Sequence, residues 1–185
     1  FVRPQLEKGV AEVWVEVFNC DTDLTDGSVG IDIYGHNFER KLKTDFPGIF
    51  PDVGPGANTL RVSVPMPNAR KWTPQSPWLY QAQVTLYPDK NDRQKAVDVR
   101  SQSFGMRSFE MDESGQRKGQ FSLNGDPIKL RGANTMGHLQ QCVYHKDWEQ
   151  LRDDILLCKA CNMNFLRLTQ RPVQPEIYDF CDRLG

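Results

Sequence analysis

Alternating hydrophobic and polar residues dominate the first hundred positions of the chain. The alternation has a period of two, as expected for β-strands that bury one face and expose the other. Turn-forming stretches rich in Gly, Pro and Asp separate the runs. Short strands of this kind are typical of an antiparallel β-sandwich, which at this spacing would have about seven strands. The apolar members of the five runs are Val13, Val15 and Val17; Val29, Ile31 and Ile33; Leu60, Val62 and Val64; Trp78, Tyr80, Ala82, Val84 and Leu86; and Val97 and Val99.

The pattern changes near residue 120, where a turn signal lies between two short apolar runs. The runs are Phe121–Leu123 and Ile128–Leu130, and the residues between them are Asn, Gly and Asp. Asn and Gly accept the positive φ angles that a tight two-residue turn requires. The segment therefore predicts a β-hairpin at the point where the sandwich pattern ends.

Residues 147–161 have the spacing of an amphipathic helix, and the pattern before them predicts only a polar loop. Asp147 and Gln150 stand three positions apart at the start of the helix, as in a capping box, and Asn162 can end it. The apolar stripe consists of Trp148, Leu151, Ile155 and Cys158. Trp148, like Trp78 in the fourth strand, lies on an apolar stripe and is expected in a core.

A short strand and a second helix follow. Residues 164–168 form a run of strand length, and Pro175 suits the first turn of a helix that Gly185 can end. Strand, helix, strand and helix in succession indicate parallel, right-handed βαβ units. Two such units cannot close a sheet or bury both of its faces. We therefore expect the start of a larger α/β domain.

Composition and charge narrow the functions that the chain can have. Of its 185 residues, 38% are hydrophobic and 25% are charged, and the formal net charge is −1. A near-neutral chain lacks the basic surface that binds nucleic acids or anionic membranes. No apolar run reaches the length of a membrane span. We expect neither a nucleic-acid partner nor a membrane partner, and the compartment stays open.

The cysteines indicate neither a disulfide framework nor a metal centre. They are Cys20, Cys142, Cys158, Cys161 and Cys181. An odd number spread over a chain of this length is not typical of a disulfide scaffold. Cys158 and Cys161 have the spacing of half a zinc site, but no second Cys or His pair stands at the matching distance. The sequence therefore predicts no metal site and no cofactor.

Four segments, in this order, resemble glycoside hydrolase family 2, the group that contains β-galactosidases, β-glucuronidases and β-mannosidases. WTPQSPWLY at 72–80 is similar to the family's W-S-P-E-x-P-x-L-Y, and FGMR at 104–107 is similar to its F-G-F-R. FSLNGDPIKLRGAN at 121–134 is similar to F-x-L-N-G-K-P-I-x-L-R-G-V-N at the first barrel strand. NFLR at 164–167 and IYDFCDRLG at 177–185 are similar to N-x-x-R followed by Y-D-L-C-D-R-x-G. The first sixty residues agree with the family only through their strand pattern.

The resemblance implies an immunoglobulin-like antiparallel β-sandwich over residues 1–108, followed over 109–185 by the first two βα units of a truncated (β/α)8 barrel. Family members hydrolyse β-glycosides with retention, using one Glu as acid/base and another as nucleophile about 5–5.5 Å away. Both come from later barrel strands, so this chain is expected to contain neither and to be inactive alone. The implied partner is a β-linked carbohydrate, and the sandwich is expected to brace the barrel.

Chemistry in such a barrel gathers at the C-terminal ends of the strands. Arg167 matches the family arginine beside the nucleophile, where a fixed cation keeps that carboxylate ionised; a purely structural ion pair is the alternative. Asn134 matches the family Asn, whose amide can bind sugar hydroxyls or its own loop. His138 and Gln170 complete the candidate substrate-binding residues. His138 is predicted in a loop, where a histidine can instead be merely solvated.

Two positions depart from the family pattern. Many members have R-H-E after the Asn and S-H-Y-P after the second strand. This chain has TMG at 135–137 and TQRP at 169–172. Two histidines of the β-galactosidase type are thus replaced, which argues against galactosidase specificity.

Two other functions compete with that of a β-glycosidase fragment. A non-catalytic carbohydrate-binding or adhesion sandwich explains the first hundred residues but not the βαβα tail. A small α/β enzyme explains the tail, but the sequence has no Gly-rich phosphate loop, no Ser elbow and no metal triad. Because two isolated βα units expose apolar strand faces, we also expect the chain to associate with itself.

Overall fold

The computed structural model describes residues 1–20, 26–37, 40–168 and 172–185, and for 36–37 and 40–43 it describes only the backbone. None of the helices in these ranges combines the length and the hydrophobicity that a membrane span needs.

Two compact units divide the chain between them. The first unit comprises Phe1–Lys71 and Trp78–Ser108, and the second unit comprises Trp72–Pro77 and Phe109–Gly185. The chain therefore leaves the first unit after Lys71, returns to it at Trp78 and passes into the second unit again after Ser108.

Two sheets form the first unit. The three-stranded sheet consists of β1 (Val2–Gln5), β2 (Val10–Asn19) and β6 (Gly56–Pro65), in the order β1-β2-β6. The second sheet consists of β3 (Gly27–Asn37), β4 (Arg40–Lys43), β5 (Asp52–Val53), β7 (Leu79–Tyr87) and β8 (Asp98–Phe104). Its order is β4-β3-β7-β8, and β5 also pairs with β3. The strands of these two sheets all pair antiparallel, as the predicted sandwich requires, and an isolated bridge between Lys71 and Met106 is parallel.

The alternating apolar residues pack between these two sheets. Val13 and Val64 from one sheet join Ile31 and Ala82 from the other in a single buried cluster. Trp78 packs against the same cluster, as expected. The alternation in the sequence therefore marks the face of each strand that builds the core, and the mainly β fold is confirmed.

The weakest parts of the sequence pattern correspond to edges of the sheets. β1, β4 and β5 were not predicted, because strands of two to four residues are too short to show an alternation. β8 begins only at Asp98 and lies at the end of its sheet. Val97 and Val99, which were expected in a core strand, are exposed.

An antiparallel sheet opens the main part of the second unit. It contains β9 (Phe109–Met111), β10 (Phe121–Leu123) and β11 (Asp126–Pro127), in the order β11-β10-β9. Asn124 and Gly125 have φ angles of 57° and 89°, the two positive values of a type I′ turn. The predicted hairpin is present, but its second strand is Asp126–Pro127 and not Ile128–Leu130.

The βαβα order expected for the start of a barrel follows. β12 (Gly132–Thr135) and β13 (Phe165–Leu168) pair in parallel, and α3 (Pro175–Leu184) follows β13. Two helices connect the strands, α1 (His138–His145) and α2 (Trp148–Ala160). The loop predicted before α2 is therefore wrong, because it contains both β12 and α1. Helix α1 has only eight residues, too few for its apolar spacing to stand out.

The ends of α2 and α3 agree with the sequence analysis. Asp147 accepts a hydrogen bond from the backbone N–H of Gln150 at 3.0 Å, which caps α2. Asn162 has a φ of 62° just beyond the end of α2, and Pro175 is the first residue of α3. Trp148 was expected in a core, yet it is partly exposed and stacks on Phe180.

A second buried cluster joins the three helices. Its buried members are Leu139, Cys142, Leu151, Ile155 and Ile177. The apolar stripes of α2 and α3 thus face a common core, in which α1 takes part as well.

The segment at 72–77 belongs to the second unit, although its pattern had placed it at the entry of a sandwich strand. The indole Nε1 of Trp72 donates a hydrogen bond to the carbonyl oxygen of Asp182 at 2.7 Å. The side-chain amide of Asn124 donates to the carbonyl oxygen of Trp72 at 2.9 Å. Polar contacts therefore connect this segment to the turn between β10 and β11 and to α3.

Candidate functional site

Strands β12 and β13 bring two of the candidate residues side by side. The parallel register pairs Asn134 with Arg167, so both side chains lie on the same side of the sheet. Nη1 of Arg167 donates a hydrogen bond to Oδ1 of Asn134 at 3.3 Å. Both side chains are exposed. The fold thus joins two residues that are 33 positions apart in the sequence.

The register of the two strands is set by the residues that precede them. The backbone N–H of Arg131 donates to Oδ1 of Asn164 at 2.8 Å, and Nδ2 of Asn164 donates to the carbonyl of Lys129 at 3.1 Å. Nε of Arg131 donates to the carbonyl of Asn162 at 2.9 Å, at the turn that ends α2. These contacts place Asn134 opposite Arg167. They also give Arg131 and Asn164, which belong to the two family motifs, a structural role.

Burial is the main cause of the pKa shifts of Cys142, Cys158, Cys181 and Lys159 in this unit. Burial raises the pKa of Cys142 and raises that of Cys181 to about 11, and it lowers the pKa of Lys159. The Asn134–Arg167 pair itself offers an amide and a guanidinium, neither of which transfers protons near neutral pH. The pair can bind hydroxyl groups or stabilise a carboxylate, but it cannot act as an acid or a base.

A cleft of 510 Å³ lies among the connections that follow β12 and β13. Its lining consists of Gly137, Gln140, Gln141, Pro172, Val173 and Gln174. A few polar groups in a partly apolar cleft are typical of small-molecule sites. The glutamines of α1 were missed in the sequence, because the helix that carries them was taken for a loop. The apolar spacing of Leu139, Cys142 and Val143 is consistent with a helix, but eight residues are too few for this signal to stand out.

His138 begins helix α1 and does not lie in a loop, which corrects the expectation from the sequence. The preceding Gly137 has a φ of 97°, so the chain turns there in a conformation that favours glycine. Nε2 of His138 lies 2.6 Å from Oδ2 of Asp154 on α2. Its described partner is therefore an acid of the neighbouring helix and not Asn134 or Arg167.

The fourth candidate, Gln170, falls outside the described residues, together with Thr169 and Arg171. Its contact with a sugar stays a prediction.

Comparison with known families accounts for both units. Residues 1–107 match the model of glycosyl hydrolases family 2, and residues 116–185 match that of the glycosyl hydrolases family 2 TIM barrel domain. A beta-galactosidase of Pseudoalteromonas haloplanktis is 31% identical over 188 residues, covering 100% of this chain and 17% of the relative. A beta-galactosidase of Alteromonas mediterranea is 30% identical over 174 residues, covering 94% and 15%. The chain thus spans less than a fifth of the length of these relatives.

Solved structures have the same fold. The Bacteroides uniformis beta-glucuronidase has a TM-score of 0.73 at 25% identity, covering 100% of this chain and 22% of that chain. A glycosyl hydrolase family 2 member from Bacteroides cellulosilyticus DSM 14838 has a TM-score of 0.71 at 22% identity, covering 100% and 24%. The predicted fold class, a sandwich followed by the start of a TIM barrel, is confirmed. With both units matched in order, this chain belongs to glycoside hydrolase family 2.

Proposed function

We propose that this chain is the part of a retaining β-glycosidase that carries the immunoglobulin-like sandwich and the first two βα units of the catalytic barrel. Both units match family 2, and the named relatives are beta-galactosidases and beta-glucuronidases. The substrate would be a β-linked carbohydrate. The domains would meet near residues 108–109, and the sandwich would brace the barrel.

The pairing of Asn134 with Arg167 is the observation that carries this proposal. Active-site residues of a barrel stand at the C-terminal ends of its strands, and these two occupy matching positions on the first two parallel strands. Asn134 accepts a hydrogen bond from Arg167 and so orients the guanidinium. Arg167 would act as a positioning residue whose charge keeps the nucleophilic carboxylate ionised. The sugar contacts expected of His138 and Gln170 are part of the same proposal.

The role of Arg167 is tested in the longer protein that includes the remaining barrel strands. A neighbouring guanidinium lowers the pKa of a carboxylate by about 1–3 units. R167M should therefore move the acidic limb of the kcat/KM profile upward by about one pH unit or more. R167K should restore part of the difference, because it keeps the charge but loses the planar fork. The matched control is R152M, which removes an exposed arginine of α2.

An unchanged acidic limb in R167M, with only a loss of stability, would show that Arg167 is purely structural.

The same longer protein allows the stereochemistry of hydrolysis to be measured by NMR. Retention predicts that the β-anomer appears first from a β-glycoside and then mutarotates. The α-anomer as first product would contradict the retaining mechanism.

We also propose that the 185-residue chain alone does not hydrolyse aryl β-glycosides. The reason is that the family's two glutamates come from later barrel strands, and glycoside hydrolysis needs both carboxyl groups. Turnover by the isolated chain that disappears in D154N or E176Q would overturn this part of the proposal.

A further inference from the structure

Three side chains that can bind metals converge on neighbouring parts of α1 and α2. His138 and Cys142 are four residues apart on α1 and therefore lie on the same face of the helix. Asp154 reaches them from α2. A ring nitrogen, a sulfur and a carboxylate oxygen of these residues all lie within 4.8 Å of one another. Catalysis by the family glutamates and the Asn134–Arg167 pair do not use Cys142 or Asp154, and a metal ion on His138 would replace the sugar contact proposed for that side chain.

The turn between the two helices holds the cluster in place. The backbone N–H of Asp147 donates to the carbonyl of Cys142 at 2.8 Å, and the N–H of Lys146 donates to that of Val143 at 3.0 Å. Asp147 in turn caps α2 through the N–H of Gln150. With two residues between the helices and both bonded, the side chains on α1 and α2 are held at a defined distance.

The carboxylate of Asp154 is oriented by a second contact. Nε2 of Gln150 donates to Oδ1 of Asp154 at 2.7 Å, while Oδ2 points to Nε2 of His138 at 2.6 Å. Metal-binding carboxylates are commonly held in this way, with one oxygen bonded to an outer residue and the other free for the ion. Cys142 is buried, whereas 67% of the His138 side chain is exposed. One side of the cluster is therefore open to solvent.

We propose that His138, Cys142 and Asp154 bind a divalent transition-metal ion of the zinc class. Nitrogen, sulfur and oxygen donors together favour Zn²⁺ or Co²⁺, whereas Mg²⁺ and Ca²⁺ prefer oxygen ligands alone. Tetrahedral zinc bonds of about 2.0–2.3 Å place ligand atoms about 3.3–3.8 Å apart. The contact between His138 and Asp154 needs to open by about 0.7 Å. The sulfur of Cys142 lies within 4.8 Å of both partners and needs to close by up to about 1.3 Å. A fourth position remains for water on the exposed side.

The proposal does not depend on the proposed function, and the 185-residue chain itself serves for the test. The reduced, chelator-treated chain is titrated with Co²⁺ and followed by absorption spectroscopy. A thiolate ligand produces a sulfur-to-cobalt charge-transfer band in the near ultraviolet, and a tetrahedral site produces strong visible bands. We expect both at one equivalent of Co²⁺, and their loss when Zn²⁺ is added.

Substitutions then identify the ligands. Cys142→Ser should remove the charge-transfer band, and H138Q and D154N should each weaken Zn²⁺ binding at least about tenfold. The controls are C161S, H145Q and D153N, which change the same residue types at neighbouring positions and should leave binding unchanged. Because His138 is largely exposed, H138Q tests the site even where the substitution of Cys142 disturbs the buried core.

The proposal is overturned by the absence of a charge-transfer band in the parent chain. It is also overturned when the band persists in Cys142→Ser, or when H138Q and D154N bind Zn²⁺ as tightly as their controls. In each of these three cases, His138 and Asp154 form only the hydrogen-bonded pair that joins α1 to α2.

Discussion

At the scale of single residues, Gly132 lies in close contact with the backbone of β13. A Cβ atom at this position would stand 1.9 Å from the carbonyl oxygen of Phe165 and 2.7 Å from its carbonyl carbon. Both are backbone atoms, so they cannot rotate away as a side chain does. Gly132 is paired with Phe165 in the register of the two strands. The glycine of the Arg-Gly motif is therefore required by the strand pairing.

We expect G132A to destabilise the second unit by about 1–3 kcal/mol, because the added methyl group must push the two strands apart. Urea unfolding followed by circular dichroism measures the change. The control is G54A, since a Cβ at Gly54 meets nothing within 4 Å. Equal unfolding midpoints for G132A and the parent chain would contradict the close approach of the strands.

Glu12 is an acid held almost out of solvent in β2, with 7% of its side chain exposed. Nη2 of Arg61 and Nε1 of Trp14 each donate a hydrogen bond to its carboxylate at 2.7 Å. The guanidinium of Arg61 also lies over the Trp14 ring, 4.9 Å from its centroid. The hydrogen bonds from Arg61 and then Trp14 hold the pKa of Glu12 below its ordinary value of 4.5.

This lowered pKa predicts a pH-dependent contribution to the stability of the first unit. A carboxylate whose folded pKa is depressed stabilises the fold above its unfolded pKa, and the contribution is lost as the pH falls through the folded pKa. E12Q should therefore be less stable than the parent at about pH 7, and the gap should narrow at about pH 3. Urea unfolding at both pH values tests this. The control is E16Q, on the exposed side chain four positions along the same strand; a pH-independent gap for E12Q would contradict the prediction.

At the scale of secondary-structure elements, Lys159 connects the end of α2 with two other parts of the second unit. Its Nζ donates to the carbonyl of Pro74 at 2.8 Å and also to the carbonyl of Leu184. Burial lowers the pKa of this lysine. The segment at 72–77 and the end of α3 thus share one donor, and both lose a partner when it is removed.

K159M should cost about 1–3 kcal/mol, because it leaves the carbonyls of Pro74 and Leu184 without this donor. The same unfolding measurement applies, and K118M at an exposed position is the control. Limited proteolysis adds a local measurement, since cleavage near residues 72–77 should become faster in K159M only. If K159M resists unfolding and proteolysis as well as the parent and K118M do, Lys159 does not hold the segment.

The elements that were predicted correctly have long and regular patterns. Strands β2, β3, β6 and β7 alternate over several residues, and α2 and α3 carry capping signals. Strand β12 was missed because Gly132–Thr135 is short and largely polar, and its partner β13 comes only after two helices. Asn134 and Arg167 were identified only through the family resemblance. The sequence pattern alone could not pair them, because they are brought together by the parallel pairing of β12 with β13. The cluster of His138, Cys142 and Asp154 has no recognisable spacing, since its third member comes from another helix.

At the scale of the whole chain, the second unit exposes several large apolar side chains. Met136 is 80% exposed and Leu157 is 63% exposed, and Tyr144 and Phe165 are exposed as well. Large apolar patches on a protein surface usually mark an interface. In the proposed barrel, further strands and helices would cover part of it. In the 185-residue chain, a second copy is the partner that is always present.

We therefore expect this chain to self-associate in a concentration-dependent manner. Sedimentation velocity should show species heavier than the monomer that dissociate on dilution. The double variant M136Q/L157Q should shift the distribution toward monomer, because it removes two exposed apolar side chains without touching a buried one. The control is V97Q in the first unit, where the replaced side chain is 62% exposed, close to the 63% of Leu157. An equal shift in V97Q would show that association is not specific to the second unit. A single monomeric boundary for the parent at every concentration would rule out self-association, and the apolar side chains of the second unit would then be exposed without a partner.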